Sequence, residues 1–293
     1  MTFRLDRFAT LYVVSPFQRR APKPTSSIPI LMYHSISADA ETGVRPYYRT
    51  STSRQLFASQ MKCLHENGYR TVSLAEVASQ LQKPGFSDDK RIVITFDDGY
   101  NDFYCGAFPL LSRFGFSATV FLPTAFIGNT PLQFKGRDCL TWAEVRELSR
   151  HGVLFGSHTV THPQLCKLDW GTIQTEIEKS KSTIEDETGF AVESFAYPYA
   201  FPQTERNFRH RLRELLRQAG YETGVCTMVG RAGRDSDPFF MERLPINSCD
   251  DTALFEAKLA GAYDWVRKSQ YLLKSAKTRL GKLREAKVTP SFS

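Results

Sequence analysis

Apolar residues in this chain fall into short unbroken runs, separated by longer stretches with a three-to-four-residue rhythm. Ile28 to His34 (IPILMYH) and Arg91 to Asp97 (RIVITFD) are apolar on both faces, as strands buried on both sides are. Ser117 to Leu122, Val153 to Ser157, Ser194 to Tyr197, Tyr221 to Thr227 and Phe239 to Ile246 repeat the pattern. Helical spacing fills the intervals. Arg54 to Asn67 carries Leu56, Met61 and Leu64 and stops at Gly68, Asp102 to Phe114 stops at Gly115, and Trp170 to Thr188 stops at Gly189. Thr204 to Ala219 is a further helix, and Ser73 with Glu76 and Thr141 with Glu144 have capping-box spacing. Both-faced strands alternating with helices predict a parallel sheet covered by helices. About seven such units point to a closed or nearly closed α/β barrel. An open doubly wound sheet is the alternative that periodicity leaves standing.

The flanks read differently. Residues 1–27 hold a short, interrupted apolar run from Phe8 to Phe17, with no small-residue cleavage site before Gln18-Arg19-Arg20, and then a Pro/Ser linker from Ala21 to Ser27. A mobile or peripheral leader is expected there rather than a signal peptide. No run approaches the length of a spanning helix, and the expected location is cytoplasmic. The six cysteines are scattered without a CxxC pair, which fits reduced, partly buried thiols. Composition is that of an ordinary globular protein, and its 293 residues suit one large domain or two small ones.

Net charge is +7, which favours an anionic partner. Much of it sits in residues 252–287, where Lys258, Arg267, Lys268, Lys274, Lys277, Arg279, Lys282, Arg284 and Lys287 face only Glu256, Asp264 and Glu285. Phe255, Leu259, Ala262, Val266, Leu273, Ala276, Leu280 and Leu283 give that segment helical periodicity. It reads as a C-terminal helix packed on the barrel with a solvated basic face, or as one attached to an anionic membrane surface or a partner helix. No nucleic-acid motif accompanies the charge, so no nucleic acid is expected. The domain division is a leader and linker (1–27), a catalytic domain (28–250) and a basic amphipathic helix and tail (251–293).

Reactive side chains recur where strands end: His34 after IPILMY, Asp97 and Asp98 after RIVITF, His158 after VLFGS, Tyr199 after FAYP. In parallel α/β folds active sites lie at that edge. An Asp-Gly turn alone needs no chemistry, but two carboxylates after an apolar strand need a cation. A divalent metal would engage one and leave the other free as a base. His158 and His162 in HTVTH are i and i+4, a spacing that puts both imidazoles on one side of a helical turn, as in zinc sites. Two histidines with one carboxylate form a catalytic zinc set with open positions. Tyr197-Pro198-Tyr199 would by itself be loop packing.

On these residues the chain resembles the polysaccharide deacetylases, the NodB-homology family also called carbohydrate esterase family 4. TFDDG (Thr95 to Gly99) matches its first motif, HTVTH its second, and SFAYPYA (Ser194 to Ala200) is similar to its third. MYHSI (Met32 to Ile36) is similar to the branch acting on exopolysaccharides of N-acetylhexosamine. The resemblance covers residues 28 to 250 and implies a distorted (β/α) barrel. It implies a divalent cation, Zn²⁺ foremost with Co²⁺, Ni²⁺ or Fe²⁺ able to take the same set, held by Asp98, His158 and His162. It also implies Asp97 as general base, Tyr199 supporting the oxyanion through its backbone N–H, and an acetylated glycan as substrate. A lipid-linked glycan at the inner membrane face would suit the basic segment.

Three family features are missing. Ala196 and Ala200 stand where the third motif has arginine and glycine, the Asp-Trp motif gives way to DPFFMERLPI (Asp237 to Ile246), and no histidine follows His210 to supply the Leu-x-His acid. His65, His151 and His210 belong to helices, so His34 is the expected replacement acid. Arg243 in the last strand stands to replace the lost arginine electrostatically, or is a strand-end surface residue. Three functions follow: an N-deacetylase, an O-acetyl esterase, or a catalytically silent glycan-binding relative.

Overall fold

The computed structural model describes residues 4–18, 27–81, 83, 90–267 and 269–272. Seven strands close the barrel: β1 (Ile30–Tyr33), β2 (Arg91–Phe96), β3 (Thr119–Leu122), β4 (Leu154–Ser157), β5 (Ser194–Ala196), β6 (Thr223–Val229) and β7 (Met241–Pro245), with the short strand Arg70–Thr71 added in parallel beside β2. Each pairs in parallel with the next, and β1 pairs with both β7 and β2, closing the ring and excluding the open sheet. The barrel is uneven. β4 meets β5 through one pair, Ser157 with Phe195, and the β6–β7 register slips between Val225 and Val229.

The both-faced apolar strands follow from two separate cores. Ile30, Val93, Phe121, Ala196, Val225 and Met241 form one cluster with Leu74, Val77 and Leu81 of the helix Leu74–Leu81. Gly156 permits that filling, since a Cβ there would lie 2.5 Å from the Phe121 ring. The alternate residues, among them Leu31, Tyr33, Ile94, Phe96, Val120 and Leu122, belong to the larger core that holds Phe57, Met61, Ile173 and Leu212 of the covering helices. The expected caps are present. Ser73 with Glu76 and Thr141 with Glu144 bond reciprocally, and Gly115 and Gly189 end their helices in left-handed geometry.

The N-terminal flank departs from expectation, and the described part of the C-terminal flank follows the first of its two readings. Residues 5–18 are a continuous helical stretch, with a π-helical turn at Ala9–Val14, rather than a mobile leader. Arg4 pairs with Asp6 and Asp250, Arg7 with Asp251, and the Tyr263 hydroxyl donates to Asp6. Most of the linker lies outside the described residues. The C-terminal segment is interrupted rather than one continuous helix: Thr252–Leu259 ends at Ala260, turns follow to Asp264, and residues 265–267 and 269–272 are helical again. Phe255, Leu259, Ala262 and Val266 are buried in the core, and Lys258, counted above with the basic face, is buried against Asp250. This part packs on the barrel, as the first reading expected. Leu273, Ala276, Leu280 and Leu283 lie outside the described residues. Among those described, no helix is long and apolar enough to cross a membrane.

Candidate active site

The turn after β2 separates the two carboxylates. Asp97 still extends the ladder, its N–H bonding Tyr33 O at 3.0 Å, but Asp98 and Gly99 both take positive φ (71° and 60°). A Cβ at position 99 would stand 3.0 Å from Leu122 and 3.1 Å from Ile127, so glycine lets this turn press against β3. The two aspartates consequently meet different partners.

Asp97 accepts a two-pronged bond from Arg243, Nη1 to Oδ1 and Nη2 to Oδ2, both at 2.7 Å. Arg243 is fully buried and also donates to Cys226 O and Thr95 Oγ1. The strand-end surface alternative for Arg243 is therefore wrong. Burial opposes ionisation of Asp97, but the Arg243 charge prevails and holds its carboxyl below the usual carboxylate range. His34 Nε2 lies 4.0 Å from Asp97 Oδ2. Burial pushes the His34 imidazole below its ordinary value against the pull of Asp97.

Asp98 turns the other way. Its Oδ1 lies 3.2 Å from His162 Nε2 and 3.6 Å from His158 Nε2, while Oδ2 accepts from the Tyr100 hydroxyl at 3.0 Å. His158 Nδ1 is 2.8 Å from Ala196 O, an acceptor only, so Nδ1 carries the proton and Nε2 presents a lone pair. Burial pushes His158 down to about 4, which keeps it neutral. The ligand atoms of Asp98, His158 and His162 lie within 4.8 Å of one another, all three residues buried. Asp98 Oδ1 has no hydrogen-bond partner despite its burial. A buried carboxylate oxygen 3.2 Å and 3.6 Å from two imidazole nitrogens is a donor set that could hold a divalent cation.

HTVTH is not a helical turn. Thr159 and His162 both have positive φ (70° and 55°), and the segment is an irregular loop. Glu176, on the helix Trp170–Thr188, holds it by accepting from the N–H groups of Val160 and Thr161, each at 2.8 Å, and from Thr161 Oγ1. Thr159 Oγ1 accepts from His162 N. The rings still converge, with centroids 4.7 Å apart. Tyr199 also has positive φ (57°), and its half-exposed ring packs on His162 at 4.6 Å. Beside it a cleft of about 150 Å³ is lined by Gln164, Cys166, Tyr197, Pro198, Tyr199 and Ala200. His65, His151 and His210 are exposed. Sequence reasoning missed Glu176 and Lys135, which lie on a helix and a hairpin away from the strand ends, and also Tyr100, which directly follows TFDDG.

Among known proteins, the Bacillus subtilis (strain 168) protein YxkH, named as a polysaccharide deacetylase, is 30% identical over 228 residues, 78% of this chain and 74% of its own. The chain belongs to the polysaccharide deacetylase family. The family's model, described as polysaccharide deacetylase, matches residues 85–224. The poly-beta-1,6-N-acetyl-D-glucosamine N-deacetylase of Escherichia coli (strain K12) is 34% identical over 148 residues, 47% of this chain but 21% of that protein, so the match spans about a fifth of its length. Among solved structures, the Streptococcus pyogenes deacetylase PplD in complex with acetate superposes with a TM-score of 0.68 at 26% identity, over 80% of this chain and 99% of that one. This polysaccharide deacetylase shares the barrel of that enzyme.

Proposed function

We propose that this deacetylase is metal-dependent and removes N-acetyl groups from N-acetylhexosamine residues of a polysaccharide or lipid-linked oligosaccharide. The observation that carries the reading is the buried Asp98–His158–His162 set with its unsatisfied carboxylate oxygen, next to a second carboxylate kept ionised by Arg243. A bound Zn²⁺, or Co²⁺, Ni²⁺ or Fe²⁺ in its place, would supply Lewis-acid polarisation of the acetyl carbonyl and of water.

Asp97 is the base that takes the proton from the attacking water. The Tyr199 backbone N–H supports the oxyanion, and its ring forms a wall for the sugar. The collected proton then has to reach the departing amine. His34, neutral and 4.0 Å from Asp97, receives that proton and delivers it. This route explains how an imidazole of lowered basicity serves as the acid, because it is recharged within each turnover. Arg243 prevents Asp97 from keeping the proton. The N-deacetylase named for the Escherichia coli relative supports amide over ester substrates.

The test is acetate release from N-acetylated and O-acetylated oligosaccharides, with and without chelator. Release from the amide alone, abolished by chelator and restored by zinc, is the expected result. Release from the ester alone would make it an O-acetyl esterase, and release from neither would mark a silent glycan-binding relative.

A further inference from the structure

A short hairpin, Gln133–Phe134 paired with Arg137–Asp138, carries Lys135 and Gly136 at its tip. Both tip residues have positive φ (50° and 76°), the backbone of a type I′ turn. Such a position favours asparagine, aspartate or glycine, so the lysine is held at an energetic cost of about 1 kcal/mol or more. The hairpin is tied to the turn that bears the metal-ligand carboxylate. Asn101 N bonds Asp138 O and Leu140 N bonds Gly99 O, each at 2.9 Å. Lys135 Nζ then reaches Asp98 Oδ2 at 3.4 Å, lying 4.4 Å from the Phe134 ring centroid and 5.4 Å from that of Tyr199. Two aromatic faces thus hold one cation over the outer oxygen of the carboxylate whose inner oxygen faces the histidines.

We propose that Lys135 is a positioning residue that sets metal affinity: its ammonium balances Asp98 in the metal-free protein and weakens the cation's hold. This rests on the metal reading of Asp98, His158 and His162. The physical basis is a fixed positive charge beside a site for a divalent cation. Two charges a few ångströms apart repel by around 1 kcal/mol per unit charge even in water, which places the effect on the order of tenfold. The same charge stabilises the empty site, where Asp98 would otherwise be a buried anion with Tyr100 alone on its outer oxygen.

The experiment titrates chelator-stripped full-length protein with Zn²⁺ against a chromophoric competitor, for wild type, Lys135→Asn and Lys135→Arg. Asparagine tolerates the positive φ, so the turn survives and only the charge is lost. Lys135→Asn is expected to bind zinc about tenfold tighter, by a margin that shrinks as salt is raised. Lys135→Arg should match wild type in affinity. Unchanged affinity in Lys135→Asn overturns the inference, and weaker affinity overturns it in favour of a purely orienting role for the lysine. Wild type that binds no zinc would overturn the metal reading itself, a separate failure visible before any variant is compared.

Discussion

At the scale of single residues, the site depends on one buried ion pair whose members act differently. Removing one partner from such a pair costs about 3–5 kcal/mol, because the other charge remains buried without compensation. Arg243→Met should therefore lower the urea midpoint substantially, and the acid limb of its kcat profile should move to higher pH as Asp97 loses its counter-charge. The double variant Arg243→Met/Asp97→Asn should recover part of the stability and none of the activity, a cycle that separates the two roles. A second residue-level consequence concerns pH. His158 is neutral in the fold and pushed down to about 4, whereas an unfolded histidine titrates near 6.5. Below that value the unfolded chain binds a proton that the native one does not, so stability drains away as pH falls from about 6.5 to about 4. Chelator-stripped protein should show a lower urea midpoint at pH 5 than at pH 7, and His158→Asn should flatten the difference. An equal slope in wild type and variant would show that other groups carry the dependence.

At the scale of elements, the second histidine is placed by hydrogen bonds from a helix, not by helical periodicity. The i, i+4 spacing of HTVTH correctly paired the rings but for the wrong reason, since periodicity has no means of showing that Glu176 ties down the loop between them. Bonds to an ionised acceptor are worth about 1.5–3 kcal/mol each, and Glu176 accepts three. Glu176→Ala should leave the helical circular dichroism signal intact yet weaken zinc binding by about 10–100-fold, the usual range for a group that orients a ligand. Affinity within twofold of wild type would show that the loop holds itself. The seven strands, their parallel order and the polar residues at their ends were legible because each is written in a few consecutive residues. Lys135 was not legible, because its place over Asp98 is made by a hairpin 37 residues away whose two-residue strands are too short to show alternation.

At the scale of the whole molecule, the chain's two flanks meet each other on the barrel, and this is where local patterning carried least information. The helical residues after Arg4 were read as a leader because their partners lie more than 240 positions away: Asp250 and Cys249 O for Arg4, Asp251 for Arg7, Trp265 for Thr10. The division at residues 27 and 250 cuts across this contact, since Asp250 sits buried between Arg4 and Lys258. Taking the first 18 residues away exposes the Tyr263 hydroxyl, frees the indole N–H of Trp265 and leaves Lys258 as the remaining cation on Asp250. A loss of about 2–3 kcal/mol follows from the broken charged hydrogen bonds. In a protein of this size that corresponds to a fall of roughly 5–10 °C in Tm. None of these contacts involves Asp98, His158 or His162, so zinc affinity should stay within twofold. Differential scanning fluorimetry with a zinc titration checks both numbers on one deletion variant. A Tm unchanged by the deletion would restore the leader reading, whereas a Tm and a zinc affinity that fall together would make the N-terminal helix part of the fold that shapes the site.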